Sequence, residues 1–332
     1  MKIVIESHIP FIKGIFDDVA DVVYLPAEAI TPAVMKDADA LITRTRTRCD
    51  EALLEGSRCS FIATATIGTD HIDLDYCRER GIKVVSAPGC NAPAVAQYVL
   101  CSVLSVLGDV KGKTIGVVGV GHVGSIVCRW AECLGMTGLR NDPPRAEAEG
   151  SDGFVSLAEI ARKADVITFH TPHTRTGKFP THHLADNAFF NSLMRKPVVI
   201  NSARGPIFDT PSLLGAMDSG AVSAAVIDCW EGEPAISPEL LKKAAIATPH
   251  IAGYSLEGKV RATIAVVEAL SQHFSLGIDF PGEKPAVPPL TVTPKVLLSS
   301  YNPLSDTEML KADPSAFESL RNNYNFRHEP QA

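Results

Sequence analysis

Thr114-Ile115-Gly116-Val117-Val118-Gly119-Val120-Gly121-His122-Val123-Gly124 is the stretch whose reading decides the fold. A short, β-branched apolar run reads as a strand. The glycine turn that follows opens a helical segment, Val123–Leu134, which Gly135 ends. In a strand–turn–helix unit of this kind Gly119 permits the tight turn and Gly121 lets a pyrophosphate approach the backbone. Gly124 allows close packing of helix on sheet, and the helix N-terminus favours an anion. About twenty residues on, a second strand, Thr137–Asn141, ends at Asp142, placed to accept hydrogen bonds from an adenosine ribose. Its charge would repel a 2′-phosphate, which favours NAD over NADP although Arg140 and Arg145 lie nearby.

Working outward, short apolar runs alternate with helical ones on both sides of the turn. Upstream, Lys2–Glu6, Ala40–Thr43, Phe61–Thr66 and Lys83–Ser86 read as strands; Phe11–Val19, Asp50–Glu55 and Leu74–Glu79 read as helices. Downstream, Val166–His170, Val198–Asn201, Ala224–Ile227 and Ile246–Thr248 are strands, and Ser156-Leu157-Ala158-Glu159 matches a capping box. Such alternation implies parallel sheets with helical crossovers. The expected fold is α/β: two Rossmann-like or flavodoxin-like parallel-sheet domains with a cleft between them, plus a short C-terminal appendage. Residues 1–90 with 253–276 form the expected substrate domain and 91–252 the NAD domain. Residues 277–332, with their proline-rich start at 281–294 and one helical segment over 315–324, form a linker and a partial dimerisation segment.

The chain has 332 residues, 45% hydrophobic and 21% charged, enough for two cores. A net charge of −7 offers no global basic field for nucleic acid or an anionic membrane. The eight cysteines form no CxxC pair and read as reduced thiols. The most apolar stretch, 92–108, is interrupted by Gln97 and Tyr98 and falls short of a membrane span. The expected location is the cytoplasm.

Chemistry-bearing residues follow the later strands, at the ends that converge on one crevice in an open parallel sheet. Arg204, after Val198–Asn201, has the geometry to hold a carboxylate bidentately and polarise a developing carbonyl. His250 ends Ala247-Thr248-Pro249-His250 and suits proton removal from a hydroxyl as hydride leaves. Glu233 could hold that ring and stabilise its cation. Asp228 closes a strand and could bind the nicotinamide carboxamide or act as a cap; Thr171 could line the cofactor site. His170, His173, His182 and His183 lack a recognisable ligand spacing, so no metal is expected. If the strand Ala40–Thr43 continues, Arg44, Arg46 and Arg48 share one face and suit a phosphate, Arg44 and Arg46 first.

The order of the glycine turn, Asp142, Asn201-Ser-Ala-Arg204-Gly, Asp228-Cys-Trp-Glu-Gly-Glu233-Pro and His250-Ile-Ala-Gly253 resembles the D-isomer-specific 2-hydroxyacid dehydrogenases. Within that family Ala63-Thr-Ala-Thr66-Ile-Gly-Thr-Asp-His71, Ala87-Pro-Gly-Cys-Asn91, Asp142-Pro-Pro-Arg-Ala146 and His250–Gly258 are similar to the branch that oxidises 4-phospho-D-erythronate on the way to pyridoxal 5′-phosphate. The resemblance implies Arg204, Glu233 and His250 as active-site residues and a small phosphorylated 2-hydroxy acid as substrate. It further implies substrate contacts from Thr45, Thr66 and Tyr254. His122, Val123, Asp142, Thr171, Ala203, Asp228 and Gly253 would surround NAD, in a homodimer. Two alternatives stand beside it: a dehydrogenase for another D-2-hydroxy acid such as 3-phosphoglycerate, and an NAD-sensing protein without turnover.

Overall fold

A computed structural model describes residues 1–331. The chain divides into two compact units, Met1–Asn91 with Leu256–Val287, and Ala92–Ser255 with Pro288 onward.

The first unit is a five-stranded parallel sheet: β1 (Lys2–Glu6), β2 (Asp21–Leu25), β3 (Ala40–Thr43), β4 (Phe61–Thr64) and β5 (Lys83–Val85), in the order β2-β1-β3-β4-β5. Ile3 and Ile5 pack on one face with Phe16, Phe61 and Val266, whereas Val4 packs on the other with Met35, Leu41 and Ile62. That alternation is the two-residue period of a strand covered on both sides.

In the second unit the strands are β6 (Thr114–Val118), β7 (Thr137–Asn141), β8 (Val166–Phe169), β9 (Val198–Asn201), β10 (Ala224–Ile227) and β11 (Ile246–Ala247), all parallel. Their order, β11-β10-β9-β8-β6-β7, reverses direction at β6, where β7 lies on one side and β8 on the other. Ligands of such sheets bind beyond the strand ends at this reversal. The glycine turn and the segments that carry Thr171, Arg204, Asp228 and His250 all leave the sheet at that end. Helix Ala92–Leu107 and Trp130 cover one face; Ile160, Phe169 and Phe190 lie in the core of the other.

Several local expectations are corrected. Residues 11–19 form turns, not a helix. Phe11 (φ 63°) and Gly14 (φ 88°) take left-handed backbone, while buried Ile12 and Phe16 supply the i, i+4 spacing that imitates a helix face. The helix over 50–55 shrinks to one turn, Glu51–Leu54, capped by Asp50. Asp21–Leu25 is an edge strand that its charged first residue and half-exposed side chains had hidden. The C-terminal segment packs on the second unit. Helices Pro294–Ser300 and Pro303–Ala312 each begin on a proline whose fixed φ and missing N–H suit a first helical turn. Leu297, Tyr301, Leu310 and Phe317 enter the cores of the second unit, and Trp130 Nε1 donates to Pro289 O at 2.9 Å. The helix foreseen over 315–324 is a 3-10 turn, Pro314–Ala316, followed by helix Phe317–Asn322.

Candidate active site

The glycine turn is built as a cradle. Gly119 has φ 88°, and a Cβ there would lie 2.8 Å from the His170 carbonyl carbon and the Thr171 nitrogen. A Cβ on Gly124 would strike the Gly119 carbonyl, whereas Gly121 faces open space. Helix His122–Cys133 starts at Gly121 without a side-chain cap, which leaves its first amides to a ligand. His122 is exposed and Val123 half-buried. Around this turn Thr171 Oγ1, His170 Nδ1 and Ser202 Oγ are buried without a hydrogen-bond partner, as expected where a polar ligand completes the wall. Burial pushes the His170 imidazole down to about 3, so that ring is neutral and carries no acid–base role at ordinary pH.

Asp142 accepts from Val120 N (2.8 Å) and from Arg145 N (3.1 Å), so it ties the turn to helix Pro143–Glu149. Both nearby arginines are occupied: Arg145 pairs with Glu149 at 2.7 Å and Arg140 with Glu132 at 2.8 Å. Neither is left to neutralise a 2′-phosphate. The donor set and the cradle fit NAD.

Beyond β9, Asn201 organises the loop that presents Arg204. Its amide donates to Arg204 O (2.9 Å) and its carbonyl accepts from Ala203 N (3.2 Å). Arg204 Nη1 donates to Ala203 O at 2.8 Å, and Ala203 is buried. Gly205 is required here, because a Cβ would run into the Trp230 carbonyl. Beyond β10, Trp230 is buried and its indole N–H donates to Thr248 O at 2.9 Å, which ties this loop to the segment after β11.

His250 Nδ1 lies 2.6 Å from Glu233 Oε1, and Glu233 Oε2 accepts from Trp230 N at 3.1 Å. Burial alone would raise the Glu233 carboxyl; the bond to His250 and its charge outweigh that, and the pKa falls below the ordinary value. His250 sits at φ 57°. Asp228, 1% exposed, fixes this segment: its carboxylate accepts from Thr248 Oγ1 (2.7 Å), Ile251 N (2.8 Å) and Ala252 N (3.0 Å). Of its two expected roles, the cap is the one these bonds fulfil. Burial raises its carboxyl and the His250 charge opposes the rise. The buried Cys229 thiol is pushed up by burial and senses Asp228, Glu233, Arg204 and Arg321 together, so these charges gather around one sulfur.

Two arginines of the C-terminal segment also reach this region, and no motif announced them. Arg327 donates to the carbonyls of Ala94, Ile251, Ala252 and Tyr254 and to Gln97 Oε1, with its guanidinium 4.2 Å above the Tyr301 ring. Arg321 Nε donates to Tyr254 Oη at 3.3 Å, and Nη1 stands 3.9 Å from Glu233 Oε1. Gly253 and Tyr254 are half-buried between these anchors. The clustering of Tyr324, Phe326 and Arg327 was the available signal, since aromatics beside an arginine seldom end a solvated tail.

In the first unit β3 stops at Thr43, so the three arginines do not share a strand face. Arg44 turns back onto buried Glu6: Nε lies 3.2 Å from its carboxylate and the backbone N–H donates to it at 2.8 Å. Arg48 pairs with Asp50 at 2.8 Å. Thr45 and Arg46 are exposed in the turn, and Thr66 shares a 2.7 Å hydroxyl contact with Thr64. In the second unit His183, Asp209 and Glu231 offer atoms close enough for one ion, yet His183 Nε2 is already bonded to Glu231 at 2.6 Å.

Residues 103–252 match the D-isomer specific 2-hydroxyacid dehydrogenase NAD binding domain. Erythronate-4-phosphate dehydrogenase of Bacteroides thetaiotaomicron is 48% identical over 342 residues, spanning 100% of this chain and 98% of the relative. That of Porphyromonas gingivalis is 41% identical, with 100% and 94% covered. Among solved structures, D-lactate dehydrogenase of Aquifex aeolicus superposes with a TM-score of 0.71 at 24% identity, covering 85% of this chain and 100% of that one, a likeness of fold. The chain therefore belongs to the erythronate-4-phosphate dehydrogenases, NAD-dependent enzymes of the D-isomer-specific 2-hydroxyacid dehydrogenase family.

Proposed function

We propose that this enzyme oxidises 4-phospho-D-erythronate to 2-oxo-3-hydroxy-4-phosphobutanoate with NAD, a step toward pyridoxal 5′-phosphate. The observation that carries the reading is the 2.6 Å bond between His250 Nδ1 and Glu233 in a segment that Asp228 pins from beneath. It commits one ring nitrogen to the carboxylate and leaves Nε2 to take the proton of the C2 hydroxyl. Arg204 binds the substrate carboxylate and polarises the carbonyl that forms. Tyr254 and Thr66 contact the substrate, and Thr45 and Arg46 hold its phosphate, a role Arg44 is less suited to while Glu6 engages it. NAD, when bound, supplies the hydride acceptor; Gly119, Gly121, His122, Val123 and Gly124 hold its pyrophosphate side. Asp142 takes the ribose, and Thr171, Ala203, Asp228 and Gly253 surround the remainder.

We place the enzyme in the cytoplasm as a homodimer. No described helix is long and apolar enough to cross a membrane. Leu290, Leu298, Leu304 and Met309 of the C-terminal segment are exposed, which suits a contact between copies; a monomeric mass by light scattering would remove the dimer. The activity is tested by NADH formation with 4-phospho-D-erythronate, 3-phosphoglycerate and D-erythronate. Turnover of the first well above the other two is expected. Equal rates with the phosphate-free acid would remove the phosphate role of Arg46.

A further inference from the structure

We infer that Arg321, from the C-terminal helix Phe317–Asn322, is a positioning residue of the acid–base pair: its charge stands behind Glu233 and His250 and disfavours a further proton on them, and its Nε orients Tyr254. The inference rests on the reading of His250 and Glu233 as the working pair.

Geometry argues for a role through charge. Phe317 is buried and Leu320 packs on the same core, so the short helix is anchored and brings Arg321 to one place. Nη1 stands 3.9 Å from Glu233 Oε1, the oxygen that also meets His250 Nδ1 at 2.6 Å. That separation exceeds a hydrogen bond, yet the side chains are only 13% and 24% exposed, so solvent screens the pair less than it would at the surface. A purely structural arginine looks different, and the same segment shows one six residues on. Arg327 spends its guanidinium on carbonyls of the loop it holds, whereas Arg321 makes a single 3.3 Å bond, to a phenol. As an anchor Arg321 is poor; as a cation aimed at Glu233 it is well placed.

Other charged and titratable groups bear on the pair. Arg204 comes from the loop after β9, and Asp228 and Cys229 from the end of β10. Tyr254 follows His250, and Glu318, one turn back on the helix of Arg321, partly balances its charge. Glu231 is turned away to His183. Arg204 faces the carboxylate side of the substrate in the proposed reaction, which leaves Arg321 as the cation behind the pair. Removing it takes one positive charge from beside Glu233 and leaves the carboxylates of Glu233 and Asp228 in place. The sign follows: without Arg321 the pair takes up a proton more readily, and its titration midpoint moves to higher pH.

The test uses full-length wild type, Arg321→Met and Arg321→Lys. Histidine-labelled protein is titrated by NMR without substrate, with the His250 ring signal assigned by its loss in His250→Asn. The midpoint is expected to rise by about 0.5–1 pH unit in Arg321→Met and to return to within a few tenths in Arg321→Lys. In turnover, the acid limb of kcat/KM for the phosphorylated hydroxy acid should move by the same amount. An unmoved midpoint in folded Arg321→Met overturns the inference. So does a raised KM with an unmoved midpoint, which would make Arg321 a substrate contact. If wild type fails to oxidise any phosphorylated hydroxy acid, the reading of function fails, and the titration still decides the role of Arg321.

Discussion

Glu233→Gln removes one charge and changes almost no volume, and the structure dictates how it fails. The native carboxylate accepts at both oxygens: Oε1 faces His250 Nδ1 at 2.6 Å and Oε2 takes Trp230 N–H at 3.1 Å. A glutamine has one acceptor and one NH2. If its oxygen serves Trp230, the NH2 faces Nδ1 and forces the proton onto Nε2, the wrong tautomer for a base. If its oxygen serves His250, two donors meet at Trp230. Either way the hydrogen bond to a charged group is lost, worth about 1.5–3 kcal/mol, and so is stabilisation of the imidazolium that forms in the reaction. Together these predict a fall in kcat/KM of about 10²–10³-fold. NAD affinity should change less than about threefold, since the glycine cradle and Asp142 are untouched; protein fluorescence quenched by NADH measures it. Steady-state NADH formation provides the rate. A kcat/KM within threefold of wild type in the folded variant would refute Glu233 as the partner of the base.

Other outcomes follow from neighbouring contacts. Arg327→Met takes a donor from three loop carbonyls, from the Ala94 carbonyl and from Gln97 in a buried site, and should lower stability by about 3–5 kcal/mol, read as a drop in melting temperature and urea midpoint. Gly205→Ala drives a Cβ into the Trp230 carbonyl; turnover should fall at least tenfold as the Arg204 loop shifts, and wild-type kinetics would mean that the loop relaxes freely. The folded pKa of Glu233 is depressed, so its stabilisation is complete above the ordinary carboxylate range and is lost as pH falls through the folded value. The melting-temperature gap between wild type and Glu233→Gln should thus be full near neutrality and close as pH falls below the ordinary carboxylate range; a gap that widens in acid would reverse the assigned sign.

What could be read from residues alone was whatever is contiguous. The glycine turn, its strand and helix, and Asp142 lie within 29 residues, and local pattern suffices for such a unit. Arg204, Glu233 and His250 were visible because each follows an apolar run, and parallel pairing carries such ends to one side of a sheet. Long-range pairing was not visible. Nothing near Arg44 announces that Glu6, 38 positions earlier, takes its guanidinium and ends the run of arginines as a shared face. Residues 11–19 misled because Ile12 and Phe16 bury at helical spacing while Phe11 and Gly14 adopt backbone that no helix permits. Pro294 closes a stretch that reads as a linker, yet it begins a helix, since a proline alone does not say which side of it is ordered.

The same long-range contacts explain how His250 is held. A non-glycine residue at φ 57° costs about 1 kcal/mol and persists where its surroundings over-determine it. Here they do so from two directions. Asp228 accepts from Ile251 N, Ala252 N and Thr248 Oγ1, and its carbonyl accepts from His250 N at 2.9 Å, so the donors of the loop are satisfied from the end of β10. Arg327 takes the carbonyls of Ile251, Ala252 and Tyr254, so the loop's acceptors are satisfied from the C-terminal segment. A loop whose donors and acceptors are bound by different elements has little freedom left, and the imidazole arrives at Glu233 already oriented. Orientation fixed before substrate binds lowers the cost of reaching the transition state. In the proposed reaction residues 321–329, with no side chain assigned to touch substrate, would thereby serve the site by holding the His250 segment.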